Sequence, residues 1–161
     1  MKEMSPASAS KFQSALSLAI IAFVVVFIAS WWARKIVIET MDLYDSFPLI
    51  KGFFRITHVR NPGAAFGIFS KFAPLYRTPL LLAVSSIAIL MIGYLLIKNI
   101  EEHWAIRLGL SFLAGGASGN FYERLTYGEV VDYLDFYLGD YHWPAFNLAD
   151  VSISSGVVTL D

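Results

Sequence analysis

Phe12 to Ala33 runs for 22 residues without a charged side chain, and Thr78 to Ile97 does the same over 20. A helix rises about 1.5 Å per residue, so either run crosses a bilayer core of roughly 30 Å. Leu108 to Tyr122 is uncharged over 15 residues and extends back to Trp104 if Arg107 snorkels to the interface. Tyr141 to Leu160 holds one charge in 20 residues, Asp150. The chain is 57% hydrophobic and only 16% charged, where soluble domains carry about a quarter charged residues. The expectation is a membrane all-α bundle of four transmembrane helices near 12–33, 78–97, 104–125 and 143–160, in one domain over 1–161. A cleaved signal peptide competes for the first run. Its apolar length exceeds the usual h-region and Trp31-Trp32 makes a poor cleavage site, so a retained span is expected.

The segment 34–77 is an insertion between the first two spans. Phe53 to Arg60 is rich in aromatic and β-branched residues and predicts a strand, followed by the turn signal Asn61-Pro62-Gly63. Ile36 to Tyr44 predicts a short interfacial helix with Glu39 and Asp42 on its wet side. The segment 123–142 is taken as an acidic loop. Its one basic residue, Arg124, stands against Glu123, Glu129, Asp132, Asp135 and Asp140, whereas Lys98 and Arg107 flank the 98–107 loop. This asymmetry favours both termini in the cytoplasm and the carboxylates outside it. The seven Lys and Arg of 34–77 oppose that orientation, but the rule weakens over a long folded insertion.

A net charge of −1 leaves no nucleic-acid footprint, and the absence of cysteine removes thiolate chemistry. His58, His103 and His142 are widely separated and expected at surfaces or interfaces, so neither a metal nor a cofactor is anticipated. The carboxylates are the chemical signal. An ionised Asp near hydrocarbon costs a few kcal/mol or more and marks a candidate functional site. Asp150 and Asp132, 18 positions upstream, suggest a pair that shares one proton and activates water. Asp135, three residues beyond Asp132, competes for the same role.

On the third span Gly115, Gly116 and Gly119 form a small packing face. Asn120 and Arg124 follow on one helical face, with Arg124 expected to pair with Glu123. On the fourth, Pro144 suits a first helical turn, and Asn147 and Asp150 lie one turn apart.

Asn61-Pro62-Gly63-Ala64-Ala65-Phe66-Gly67 resembles the Asn-x-Gly-Ala-Ala-Phe block of lipoprotein signal peptidases (signal peptidase II). Gly115 to Arg124 resembles that family's Gly-Gly-x-x-Gly-Asn-x-x-Asp-Arg block, with Glu123 in place of the aspartate. Val130-Val131-Asp132-Tyr133 and Phe146-Asn147-Leu148-Ala149-Asp150 resemble its two catalytic blocks, and all four occur in the family's order. The family's Asp-Gln-x-x-Lys pattern late in the first span is matched by Trp31-Trp32-Ala33-Arg34-Lys35, where the lysine survives.

The resemblance implies four transmembrane helices, a small extracytoplasmic β-sheet (a cradle) and a short interfacial helix. It implies a monomeric aspartic endopeptidase of the bacterial inner membrane, needing no cofactor, with its site near the extracytoplasmic face among membrane lipid. The implied substrate is a diacylglyceryl-modified prolipoprotein, cut just before the lipidated cysteine. Asp132 and Asp150 are the implied dyad and Asp135 a bystander, while Asn61, Gly63, Asn120, Arg124 and Asn147 line or brace the site. A relative that binds lipidated peptides without cutting them is the alternative, tied to Trp31 and Glu123. A proton-coupled transporter component is a more distant one.

Overall fold

The computed structural model describes residues 6–63, 69 and 71–160. Ala64 to Gly67 of the Asn-Pro-Gly block lie outside the described residues. Four helices, α1 (Pro6–Thr40), α2 (Pro74–Lys98), α3 (Trp104–Tyr127) and α4 (Leu148–Leu160), accompany a small antiparallel sheet that packs chiefly against α1 and α3. Its strands β1 (Ser46–Ile50), β2 (Phe54–Asn61), β3 (Val130–Leu138) and β4 (Tyr141–His142) follow one another in sequence order. The first two come from the insertion and the last two from the segment taken as an acidic loop; Val130 to Leu138 is strand through its pairing with β2, and its first four residues are all buried.

α1 and α2 are long and apolar enough to cross a membrane. Large apolar side chains point outward along both, Val25 and Leu90 among them at 60% and 74% exposure. A water-soluble bundle would bury such faces, so this surface is one for lipid. Buried positions on α1 (Ala15, Ala19, Val26, Ser30, Arg34 and Val37) recur at helical spacing and mark the stripe that meets the rest of the protein.

α3 is the central helix. A Cβ placed on Gly115 would stand 2.8 Å from Val26 of α1, and one on Gly116 would stand 2.5 Å from the Ala149 carbonyl of α4. These two glycines therefore let α3 meet a neighbour on each side at backbone contact distance. Farther along, Gly109 and Gly156 bring α3 and α4 together again, each leaving under 3.0 Å between an added Cβ and the other's carbonyl oxygen. Gly119 has ordinary clearance of 3.5 Å to Ser30 and Arg34.

Three local expectations are corrected. Residues 36–40 are the last turn of α1 rather than a separate interfacial helix, because no proline or glycine interrupts the helix before Thr40. Pro144 precedes α4 instead of opening it: Asn147 is the capping residue, and Phe146 pairs with Leu134 as an isolated bridge. His58 is buried, not interfacial. It sits in a β-bulge between Ile56 and Val59, where Nδ1 lies 3.0 Å from the Met41 carbonyl. The bulge thereby ties β2 to the end of α1. Beneath the sheet, Val37, Val131 and Tyr133 form an apolar cluster with Leu148 packed against it.

Candidate active site

Register in the sheet sets the first half of the site. Asn61 pairs with Val130 and Val59 with Asp132, so Asn61 and Asp132 share a face, two residues apart along β2. Asn61 donates through Nδ2 to Asp132 Oδ2 at 3.0 Å. Its own oxygen accepts from the Gly63 N–H at 2.9 Å, which orients the amide. Asp135 lies three residues beyond Asp132 and so faces the other way. It pairs with Arg55 at 2.7 Å and His142 at 3.0 Å and takes no part in the Asp132 cluster.

The second half comes from the chain entering α4. Tyr133 and Leu134 donate backbone hydrogen bonds to the Phe146 carbonyl at 3.0 and 2.8 Å, and Phe146 returns one to Leu134 at 3.1 Å. This sets Asn147 beside β3 as α4 begins. Asn147 Oδ1 caps the helix by accepting from the N–H groups of Ala149 and Asp150 at 2.9 and 3.2 Å. Asp150 Oδ2 reciprocates by accepting from the Asn147 N–H at 3.1 Å, an arrangement of the capping-box kind. The Asn147 Nδ2 then donates to Asp132 Oδ1 at 2.7 Å. From α3, Asn120 donates to Asp150 Oδ1 at 2.9 Å.

Every oxygen of the two carboxylates thus accepts from a nitrogen donor: Asn147 and Asn61 on Asp132, Asn120 and the Asn147 backbone on Asp150. Asp132 is 4% exposed. Burial, followed by the nearby Asp150, raises its pKa to about 6, against the opposing pull of the Asn147 and Asn61 bonds and of Arg34. A buried acid with a raised pKa beside a second carboxylate is suited to proton transfer.

Arg124 does not pair with Glu123, since adjacent residues on a helix point apart. Arg124 donates to the Gly63 carbonyl at 3.0 Å and so holds the turn that orients Asn61. Glu123 forms a buried ion pair with Arg34 of α1 at 2.9 Å and accepts from the Val131 N–H at 3.2 Å, which anchors the start of β3. All seven expected site residues, Asp132, Asp150, Asn61, Gly63, Asn120, Arg124 and Asn147, converge on one network.

The residue missed from sequence is Arg34. It is 3% exposed, and its Nη2 donates to Asn120 Oδ1 and, at 2.8 Å, to Asn147 Oδ1. Lys35, matched to the family's lysine above, instead faces outward to Glu39 and the Trp31 ring. Arg34, not Lys35, is the inward-facing cation of this stretch, and Ser30, one turn before it, is 1% exposed. The buried stripe on α1 carried this signal, because its spacing places residue 34 inward and residue 35 outward.

Asp132, Asp150, Asn61, Asn120, Arg124 and Asn147 line the polar end of a cleft of about 670 Å³. Leu81, Val84 and Ala88 of α2 and Val151 of α4 form an apolar wall, with Trp143 and Phe146 near the sheet. A peptide bond can reach the carboxylates while an apolar group lies along the helices.

A family model for signal peptidase (SPase) II matches residues 18–161. The lipoprotein signal peptidase of Desulforapulum autotrophicum is 46% identical over 125 residues, covering 78% of this chain and 77% of that protein. The lipoprotein signal peptidase of Geobacter sulfurreducens is 43% identical over 129 residues, covering 80% and 79%. Two solved structures, each described as a bacterial membrane enzyme structure obtained by the in meso method, superpose with TM-scores of 0.80 and 0.78. Both are 34% identical, cover 89% of this chain, and are themselves covered over 85% and 90%. Agreement of this extent, in sequence and in backbone alike, makes the chain a membrane protein of the signal peptidase II family and a peptidase.

Proposed function

We propose that this peptidase removes the signal peptide from diacylglyceryl-modified prolipoproteins, cutting just before the lipidated cysteine, with Asp132 and Asp150 as its catalytic dyad. The observation that carries the proposal is the placement of both carboxylates, held by donors on all four oxygens, at the polar end of a cleft with an apolar wall. Two adjacent carboxylates ionise together only at a high electrostatic cost, so the pair retains one proton. The ionised member takes a proton from a water as its oxygen attacks the scissile carbonyl. The protonated member donates to the carbonyl oxygen and stabilises the tetrahedral intermediate. Transfer of a proton to the leaving amine breaks the C–N bond and leaves a carboxylic acid and a free amine. Asn61, Gly63, Asn120, Arg124 and Asn147 fix the geometry, and the diacylglyceryl chains lie along the α2 and α4 wall.

All four helices are proposed to span the bacterial inner membrane within one domain. α3 carries its buried charges, Glu123 and Arg124, toward neighbouring elements instead of lipid, as an intramembrane ionisable group requires. The loop-charge asymmetry supports cytoplasmic termini and an extracytoplasmic sheet. The protein is proposed to act as a monomer.

A gel-shift assay with purified protein, a diacylglyceryl-modified prolipoprotein and its unlipidated precursor tests the substrate. Cleavage of the lipidated form alone is expected. Equal cleavage of the unlipidated precursor would contradict the role assigned to the apolar wall.

A further inference from the structure

We propose that Arg34 is a positioning residue for the dyad: its guanidinium holds the amide of Asn120 with nitrogen toward Asp150 and links it to Asn147, which serves Asp132. An asparagine amide offers an acceptor at one end and a donor at the other, and its orientation follows from its partners. At Asn147 the orientation is already set by the cap of α4. At Asn120, in the middle of α3, Arg34 is the donor to the oxygen, and Nδ2 is thereby left for Asp150. Turned over, Asn120 would present its oxygen to Asp150, a contact that only a protonated carboxyl can satisfy. Arg34 thus keeps a donor, and not an acceptor, turned toward Asp150.

The planar fork matters here. One nitrogen of the guanidinium bridges two asparagine oxygens on different helices while Nε faces Glu123. A lysine ammonium offers a point charge on a flexible stem, without that fixed fork. The charged groups around Asp132 are Arg34 on α1, Glu123 and Arg124 on α3, and Asp150 on α4. Arg34 pulls against retention of the Asp132 proton, and Arg124 also attracts the Asp132 carboxylate.

This inference rests on the dyad proposed above, so the test separates the two. Arg34→Met alone would strand a buried Glu123. The informative variant is therefore Arg34→Met with Glu123→Gln, which removes both charges and leaves an oxygen for the Val131 N–H. Arg34→Lys and Glu123→Gln are made singly. Each is assayed for kcat and KM with lipidated substrate across pH, with the folded fraction measured in parallel. Loss of a charge-assisted hydrogen bond corresponds to about ten- to a hundredfold. The double variant is expected to lose that much kcat with little change in KM, and its alkaline limb to move to higher pH. Arg34→Lys is expected to lose kcat without that upward displacement, because it keeps the charge, and Glu123→Gln is expected not to move the limb upward.

A folded double variant with wild-type kcat and an unmoved profile overturns the proposal. So does one whose activity falls only in step with its folded fraction. Failure of the dyad itself would appear elsewhere, as turnover retained by Asp132→Asn or Asp150→Asn.

Discussion

Asn147 donates its side-chain amide to Asp132 at 2.7 Å while its oxygen caps the helix that carries Asp150. One side chain thereby joins strand β3 to helix α4 and sets the relative position of the two carboxylates. Asn147→Ser preserves a capping oxygen but is too short to serve Asp132. It should lose kcat by about ten- to a hundredfold, the equivalent of one hydrogen bond to a charged group. Asn147→Ala should cost roughly 1 kcal/mol more stability than Asn147→Ser, because the cap goes too. Thermal unfolding and turnover measured on the two variants separate capping from positioning.

The raised pKa of Asp132 makes a statement about pH. Between the ordinary value of 3.8 and about 6 the folded chain keeps a proton that the unfolded chain has released. Stability contributed by this group is therefore present at low pH and falls as pH rises through that window, by roughly 3 kcal/mol in total. The unfolding midpoint should decline from pH 4 to pH 6.5 in the wild type, and this component should vanish in Asp132→Asn. The same proton is the one the pair shares, so kcat/KM should fall on the alkaline side as it is lost.

Asp135 supplies the contrast. Its carboxylate belongs to a cross-strand trio with Arg55 of β2 and His142 of β4, facing away from the cleft. Asp135→Asn should lower stability by about 1–2 kcal/mol through a weakened charged hydrogen bond. It should leave cleavage by the folded fraction within a few-fold of wild type. A loss of turnover as deep as that in Asp132→Asn would place the wrong aspartate in the dyad.

Backbone contact between α3 and α4 also bears on the site. Gly116→Ala would put a Cβ 2.5 Å from the Ala149 carbonyl and displace the helix carrying Asp150. The expected cost is roughly 1–3 kcal/mol, with reduced kcat. Gly93→Ala meets nothing within 4 Å on α2 and should be neutral or stabilising by up to ~1 kcal/mol. Equal unfolding midpoints for the two would contradict the close approach at Gly116.

Much of this organisation was legible before the fold was known. Uncharged runs locate α1 and α2, since burial in lipid selects composition directly. The aspartates stood out because intramembrane charge is costly. Less visible was the strand nature of residues 130–138, whose acidic residues read as a loop, whereas pairing with β2 makes them strand and leaves Val130 to Tyr133 all buried. Once the segment is a strand, the odd spacing from Asp132 to Asp135 sends them to opposite faces. Arg34 was obscured by the adjacent Lys35, and only the helical stripe through Ala19, Val26 and Ser30 distinguishes the two. Glu123 invited pairing with its sequence neighbour Arg124, whereas helical geometry sends it to a different element.

The most direct test of the central claim is turnover of lipidated prolipoprotein by Asp132→Asn and Asp150→Asn, each verified as folded. General acid–base catalysis contributes about 10²–10⁴-fold, and both variants should lose at least that much while still binding the substrate. Wild-type-like cleavage by either folded variant would contradict the dyad.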